Sequence, residues 1–237
     1  MIAAYLGAGG RGQVLASFCC ATIPMGILQA SSTQTDYVTA LWLVTFAALV
    51  LPWLRREEIE RTGWAAAGAA LGLAVLTKGT AYLFGAPFVA WVLWKAARGR
   101  ERQAVLGLAL AGAVALTVNL GHYVRNYRAA GSPLATGQEA GGRLGYRNEV
   151  MGPRLWASNL ARNVAIHFGT MSGKVNAACA RAVEGLHRAL GVDVNDPRTT
   201  WGNCEWETVG HSWHEDTAGS PQHVVLIVVC AGLVLGA

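Results

Sequence analysis

Residues 64–94 read WAAAGAALGLAVLTKGTAYLFGAPFVAWVLW, with a single charge, Lys78, at the centre. Uncharged runs at 62–77 and 79–94 flank it, and basic residues close both ends: Arg55, Arg56 and Arg61 before, Lys95, Arg98, Arg100 and Arg102 after. Basic clusters in short loops mark the cytoplasmic side of a membrane protein. The stretch is therefore expected to enter the membrane and return, with Lys78 at the far turn. One span needs about 20 residues, and two would need roughly 40. The 31 residues from 64 to 94 instead suit a hairpin of two short or tilted helices, turning at Leu76-Thr77-Lys78-Gly79-Thr80 near the opposite face. An ammonium held there requires an anion or a water-filled cavity.

The composition agrees. The chain has 237 residues, is 53% hydrophobic and only 14% charged, and has a mean hydropathy of +0.32, which excludes an ordinary soluble domain. Further uncharged runs lie at 12–35, 37–54 and 104–121, and another opens at 224. The net charge of +5 is modest, and because much of it sits in the two basic loops it reports topology. No basic stripe with interleaved aromatics is present, so nucleic acid is not an expected partner. The expected fold is all-α, a polytopic membrane bundle with an extracytoplasmic, partly helical segment.

Alternation sets the topology. Arg11 holds the amino terminus inside, the span 13–30 crosses outward, and Ser31–Asp36 form an external loop without Lys or Arg. The segment 37–54 returns, the hairpin 64–94 goes out and back, and 104–121 crosses outward to His122, Tyr123, Val124 and Arg125. On this reading 1–125 is a transmembrane bundle, 126–222 is extracytoplasmic, and 223–237 starts a further transmembrane helix. Residues 1–11 lack the basic region and cleavage site of a signal peptide and read as a cytoplasmic connector. The final apolar run is too short for a bilayer of ~30 Å. The chain is thus expected to be a fragment or a truncated product of a larger membrane protein.

In 126–222, apolar residues recur at helical spacing over 155–168 and 174–190, with Val175, Cys179, Ala182, Val183, Leu186 and Leu190 in one stripe and Gly191 as a stop. Turn-forming clusters occur at 130–133, at Gly141-Gly142, at 195–197 and at 218–221. Cys19, Cys20 and Cys230 lie in apolar spans as packing residues. Cys179 and Cys204 share the outer segment, where a disulfide is chemically allowed. The absence of a Cys-x-x-Cys pair argues against a thiolate metal site.

On this topology Asp36, Lys78 and Arg125 reach the same membrane face. Each has a purely structural reading: Asp36 as a helix cap, Lys78 as a snorkelling side chain, Arg125 and Arg128 as complements to a helix dipole. Together, one carboxylate and two or three cations from separate hairpins form a candidate pocket for an anion. A lipid phosphate fits, because its tail stays in the bilayer, with Lys as a point charge and Arg as a bidentate fork.

At these residues the chain resembles the GT-C membrane glycosyltransferases, the group of protein O-mannosyltransferases and the bacterial aminoarabinose and Rgt-like transferases. The run 21–37, ATIPMGILQASSTQTDY, is similar to their second outer-loop region. Leu76-Thr77-Lys78-Gly79 resembles their Thr-Lys-Gly turn. Arg125-Asn126-Tyr127 followed by Gly131-Ser132-Pro133-Leu134 resembles the segment that leaves the membrane. This pattern covers about residues 1–140. The run Asn195-Asp196-Pro197-Arg198-Thr199-Thr200-Trp201 and the triplet His214-Glu215-Asp216 are similar to a bacterial subgroup. The resemblance implies transfer of a sugar from a polyprenyl-phosphate donor to a glycan, lipid or protein acceptor at the outer face of a bacterial inner membrane. The family's acidic base belongs to a first outer loop that would precede residue 1, so a fragment of this kind is expected to be inactive. Asp36 matches the second acidic position, with an assisting or coordinating role. Lys78 and Arg125 match positions expected to meet the lipid phosphate. Gln34, Asn126, His214, Glu215 and Asp216 complete the implied substrate-binding set.

His211, His214, Glu215, Asp216 and His223 are the one group with metal-ligand chemistry, and a divalent cation is conceivable there. Their spacing fits no helical zinc motif, and a hydrogen-bonded loop over the active site is the preferred reading. Two other classes compete with a glycosyltransferase. A transporter also pairs short helices at a polar break, but no inverted repeat accompanies them here. A non-catalytic membrane scaffold would leave the buried charges without a ligand.

Overall fold

The computed structural model describes residues 1–54, 57–99, 102–134, 150–200, 205–206 and 210–235. Arg55, Arg56, Arg100, Gly141, Gly142, Trp201 and Cys204 lie outside the described residues. Among those described, 74% are helical and none is in a strand. Ten helices follow in order: α1 (Ile2–Tyr5), α2 (Gly10–Ala21), α3 (Pro24–Ala30), α4 (Asp36–Leu54), α5 (Arg61–Thr77), α6 (Thr80–Gly99), α7 (Arg102–Ala130), α8 (Pro153–Ile166), α9 (Gly173–Leu190) and α10 (Pro221–Leu235). Asp36–Trp53 and Gln103–Ala130 are long and apolar enough to cross a bilayer, and the bent pair α2–α3 makes a third span if it crosses as one. The chain is an all-α membrane protein. Compactness groups it differently from the charge pattern: Met1–Ser17 with Thr33–Arg143 form one unit, and Phe18–Ser32 with Leu144–Ala237 form the other.

In the first unit, α5 packs along both α4 and α7. Its small residues are the cause. A Cβ added at Gly68 would lie 2.3 Å from the Ala111 carbonyl oxygen, and one at Gly72 would lie 3.0 Å from the Ala115 Cα. Both pairs are one helical turn apart, so two small-residue faces bring the backbones of α5 and α7 together. Gly107 does the same for the Trp64 ring, which would stand 2.4 Å from an added Cβ. Asn119, almost fully buried, donates from Nδ2 to the carbonyls of Gly72 and Ala115, each at 2.9 Å. Larger side chains fill the other seam. Phe46 meets Phe88 edge-on at 5.7 Å, and the Trp53 and Trp64 rings stand 5.8 Å apart. With Val50, Ala67, Val92 and Ala96 they form the core of this unit.

The expected span 13–30 is not one continuous helix. It breaks after Ala21, and α2 and α3 are bent by 65°. Pro24 carries no N–H, and Ile23 before it takes an extended conformation (φ −65°, ψ 113°), as steric clash with the proline ring requires. The carbonyl of Cys19 near the break accepts a hydrogen bond from His223 Nε2 at 3.1 Å, and Thr22 Oγ1 lies 3.2 Å from the same nitrogen. A broken helix in lipid is tolerated where its freed backbone groups find such partners.

In the second unit α8 packs on α9. His187 Nδ1 donates to the Val183 carbonyl at 2.7 Å, which leaves Nε2 to accept the Ser158 hydroxyl at 2.8 Å. Both side chains are buried, so the pair ties two helices and meets no solvent. Buried Arg162 reaches the carbonyls of Val194 and Thr199 at 2.9 and 3.0 Å. Of the apolar stripe on α9, Val183 is buried while Val175 and Leu186 are exposed. Gly191 ends α9 in the left-handed region at φ 66°, where glycine is unstrained. Cys179 carries a free thiol, pushed above its ordinary pKa by burial. Beyond α9, Asp196 accepts from Arg198 through Nε at 2.9 Å, Nη2 at 2.7 Å and the backbone N–H at 3.0 Å. The Arg198 side-chain contact is the largest cause holding the Asp196 carboxyl at about 2.

Two outcomes follow. Gly68→Val should lower the detergent-solubilised unfolding stability by about 1–3 kcal/mol through overpacking, whereas Gly112→Ala, with nothing within 4 Å of an added Cβ, should be neutral or stabilising. Equal midpoints for Gly68→Val and wild type would refute the close approach of α5 and α7. Asp196 has a lowered folded pKa, so its contribution is present above the unfolded value near 4 and is lost as pH falls toward about 2. The unfolding midpoint of Asp196→Asn should therefore fall less steeply between about pH 4 and about pH 2 than that of wild type; parallel curves would contradict this.

Candidate functional site

The turn between α5 and α6 is built from Lys78 and Gly79. Lys78 is extended (φ −156°, ψ 136°) and caps α5 through its N–H to the Ala74 carbonyl. Its own carbonyl receives the Ala81 N–H at 3.0 Å and starts α6. Local geometry thus directs the side chain away from both helices. Its Nζ meets Asp36 Oδ1 at 2.7 Å and Oδ2 at 2.6 Å. Asp36 stands in the first turn of α4, where the helix dipole also favours a carboxylate. The side chains keep 35% and 40% of their exposure, so the pair remains reachable.

Beside it lies a small cavity of about 170 Å³, lined by Thr77, Lys78, Tyr82, His122, Tyr123 and Pro133 among others. His122 comes from the last third of α7. Arg125 Nη2 donates to His122 Nδ1 at 3.1 Å, and the Asn126 carboxamide meets His122 Nε2 at 2.9 Å and the Pro133 carbonyl at 3.2 Å. Arg125 and Asn126 therefore stand behind the cavity wall, within α7, which runs on to Ala130. Gln34 is half-buried in the loop leading into α4. An ammonium and a guanidinium-supported imidazole lining one small cavity, with a carboxylate on the ammonium, can bind an anion and handle a proton. Sequence reasoning left His122 out. Its signal was the spacing: His122 lies three and four positions before Arg125 and Asn126, on one helix face.

Tyr82 and Tyr123 share a hydroxyl contact of 2.5 Å. With Val75 they also border an apolar groove of about 300 Å³ between α5, α6 and α7. The small polar cavity and the larger apolar groove thus have a wall in common.

His214, Glu215 and Asp216 lie in the second unit, in a turn closed on itself. Thr217 and Ala218 donate their backbone N–H groups to the His214 carbonyl, and His214 Nδ1 is 3.8 Å from Asp216 Oδ2. Gln29 Nε2 reaches the Glu215 carbonyl at 3.3 Å. Among the described residues no three side chains of His, Cys, Asp and Glu gather closely enough to hold a metal ion, and His223 is turned to Thr22 and Cys19.

No curated protein and no solved structure matches the chain. Residues 1–169, more than half of the chain, match the family model described as predicted membrane protein (DUF2142), and the chain belongs to that family.

Proposed function

We propose that the chain is the membrane part of a glycosyltransferase that moves a sugar from a polyprenyl-phosphate donor to an acceptor at the extracytoplasmic face. The observation that carries this reading is the meeting of Asp36 from α4 with Lys78 from the α5–α6 turn beside a polar cavity. Two neighbours support it. His122, held by Arg125, adds a polar wall to that cavity, and the apolar groove sharing Tyr82 and Tyr123 suits an isoprenoid tail. In this reading Lys78 meets the donor phosphate, because an ammonium has three N–H groups and one carboxylate does not exhaust them. Asp36 orients the acceptor or balances the ammonium, Arg125 acts through His122, which it holds in the cavity wall, and Gln34 and Asn126 flank the site. Positive charge aimed at the departing phosphate is how such a site gains rate. The cell location that fits is a bacterial inner membrane.

One observation favours a second reading, a non-catalytic membrane scaffold: the charge of Lys78 is already matched by Asp36. Donor binding separates the two. Purified protein in nanodiscs should bind a polyprenyl-phosphate hexose, Lys78→Met should weaken binding roughly 10- to 100-fold, as expected for one lost charge-assisted hydrogen bond, and Arg125→Lys, at a residue that acts through His122, should weaken it less. Asp36→Asn combined with Lys78→Met removes both charges, so it should recover stability but not binding. Wild-type affinity in Lys78→Met would eliminate the donor reading.

A further inference from the structure

The outer face of α8 lies open. Trp156, Leu160 and Val164 stand at successive turns and remain 61%, 65% and 41% exposed, while Ser158, Arg162 and Ala165 on the opposite side are buried. The buried face is held by the hydrogen bonds of Ser158 and Arg162, and the apolar outer face needs a partner of its own. α9 covers one face, and the position of α8 in the second unit identifies the partner for the other.

The end of α8 is tied to the start of α10. Ser220 N–H donates to the His167 carbonyl at 2.9 Å, and a Cβ at Gly219 would lie 2.4 Å from the Gly169 carbonyl oxygen, so the two backbones touch. α10 begins at Pro221 and carries exposed Val225, Ile227 and Val228 immediately after it. An apolar helix exposed in this way belongs in hydrocarbon, and its first turn therefore marks the membrane surface. Met171 and Trp213, among the most exposed apolar side chains of this unit, line one cleft with Gly169, Gly219 and Pro221. Tryptophan beside a membrane entry point is the usual anchor at the headgroup level. The exposed charges of α8 and α9 are Arg154, Lys174, Arg181 and Arg188 against Glu184, an excess that matches anionic headgroups.

We infer that α8 is an interfacial helix that lays Trp156, Leu160 and Val164 into the headgroup and acyl boundary of an anionic bilayer. The apolar face is buried in lipid, and the α8–α9 pair is held flat at the surface where α10 enters. This holds whether or not the chain transfers a sugar.

Nitroxide accessibility tests it. In the full chain with Cys19, Cys20, Cys179, Cys204 and Cys230 replaced by serine, Leu160→Cys is spin-labelled and reconstituted in vesicles of phosphatidylcholine and phosphatidylglycerol. Ile227→Cys serves as the lipid-facing reference and Glu58→Cys, exposed in the charged loop between α4 and α5, as the aqueous one. Oxygen collisions should exceed those of a water-soluble nickel chelate at 160 and 227, with the reverse at 58. Val164→Cys, labelled separately, should repeat the result for 160. A chelate preference at 160 and 164 would mean that this face is in water. Low collision rates with both reagents would mean that protein covers it, from a second copy or from the chain itself. Either result overturns the proposal.

Discussion

A charge at the turn of an apolar helical hairpin needs a countercharge, and the pairing of Lys78 with Asp36 supplies it across 42 positions of sequence. Left alone, the ammonium would cost several kcal/mol in a low-dielectric setting. The pair itself, with its side chains 35% and 40% exposed, contributes no more than ~1 kcal/mol as an ion pair. Its main consequence is therefore positional. It fastens the turn of one helical hairpin to the first turn of α4 and fixes where the remaining polar groups can meet.

The packing below determines what else arrives there. Gly68 and Gly72 allow α7 to lie directly on α5, and the contacts climb in steps from Ala111 to Ala115 to Asn119, each one turn above the last. His122 is the next step on that ladder, which is why it joins Lys78 in lining the cavity. Exchanging a small residue for a large one near the middle of α5 would shift α7 and with it His122. In the other unit, His223 and the bond from Ser220 to His167 perform the comparable task of satisfying backbone groups near an abrupt break.

The membrane class and the all-α fold were legible in the uncharged runs and in the helical spacing of apolar residues beyond them. Lys78 drew notice because it is the lone charge in a 31-residue window. The break at Thr22 and Ile23 was less visible, since the run 12–35 has the composition of a single span and only Pro24 marks the interruption. Arg125 was placed in the pocket by topology and by the family resemblance, whereas its guanidinium is held by His122 one turn away. Helical spacing within α7 carried that information, but it does not distinguish a side chain that faces a cavity from one that supports its wall. The groove bordered by Tyr82 and Tyr123 was not readable, because it depends on how three helices lean together.

The central claim is that the Asp36–Lys78 turn receives a lipid-linked phosphate. Photocrosslinking tests it directly, using a polyprenyl-phosphate sugar with a photoreactive group on the first isoprene unit and the protein in native-like bilayers. The label should map to peptides containing residues 75–82 and 116–134, and excess unlabelled polyprenyl phosphate should displace it. Labelling confined to other segments, or labelling that the unlabelled lipid does not compete away, would contradict the account.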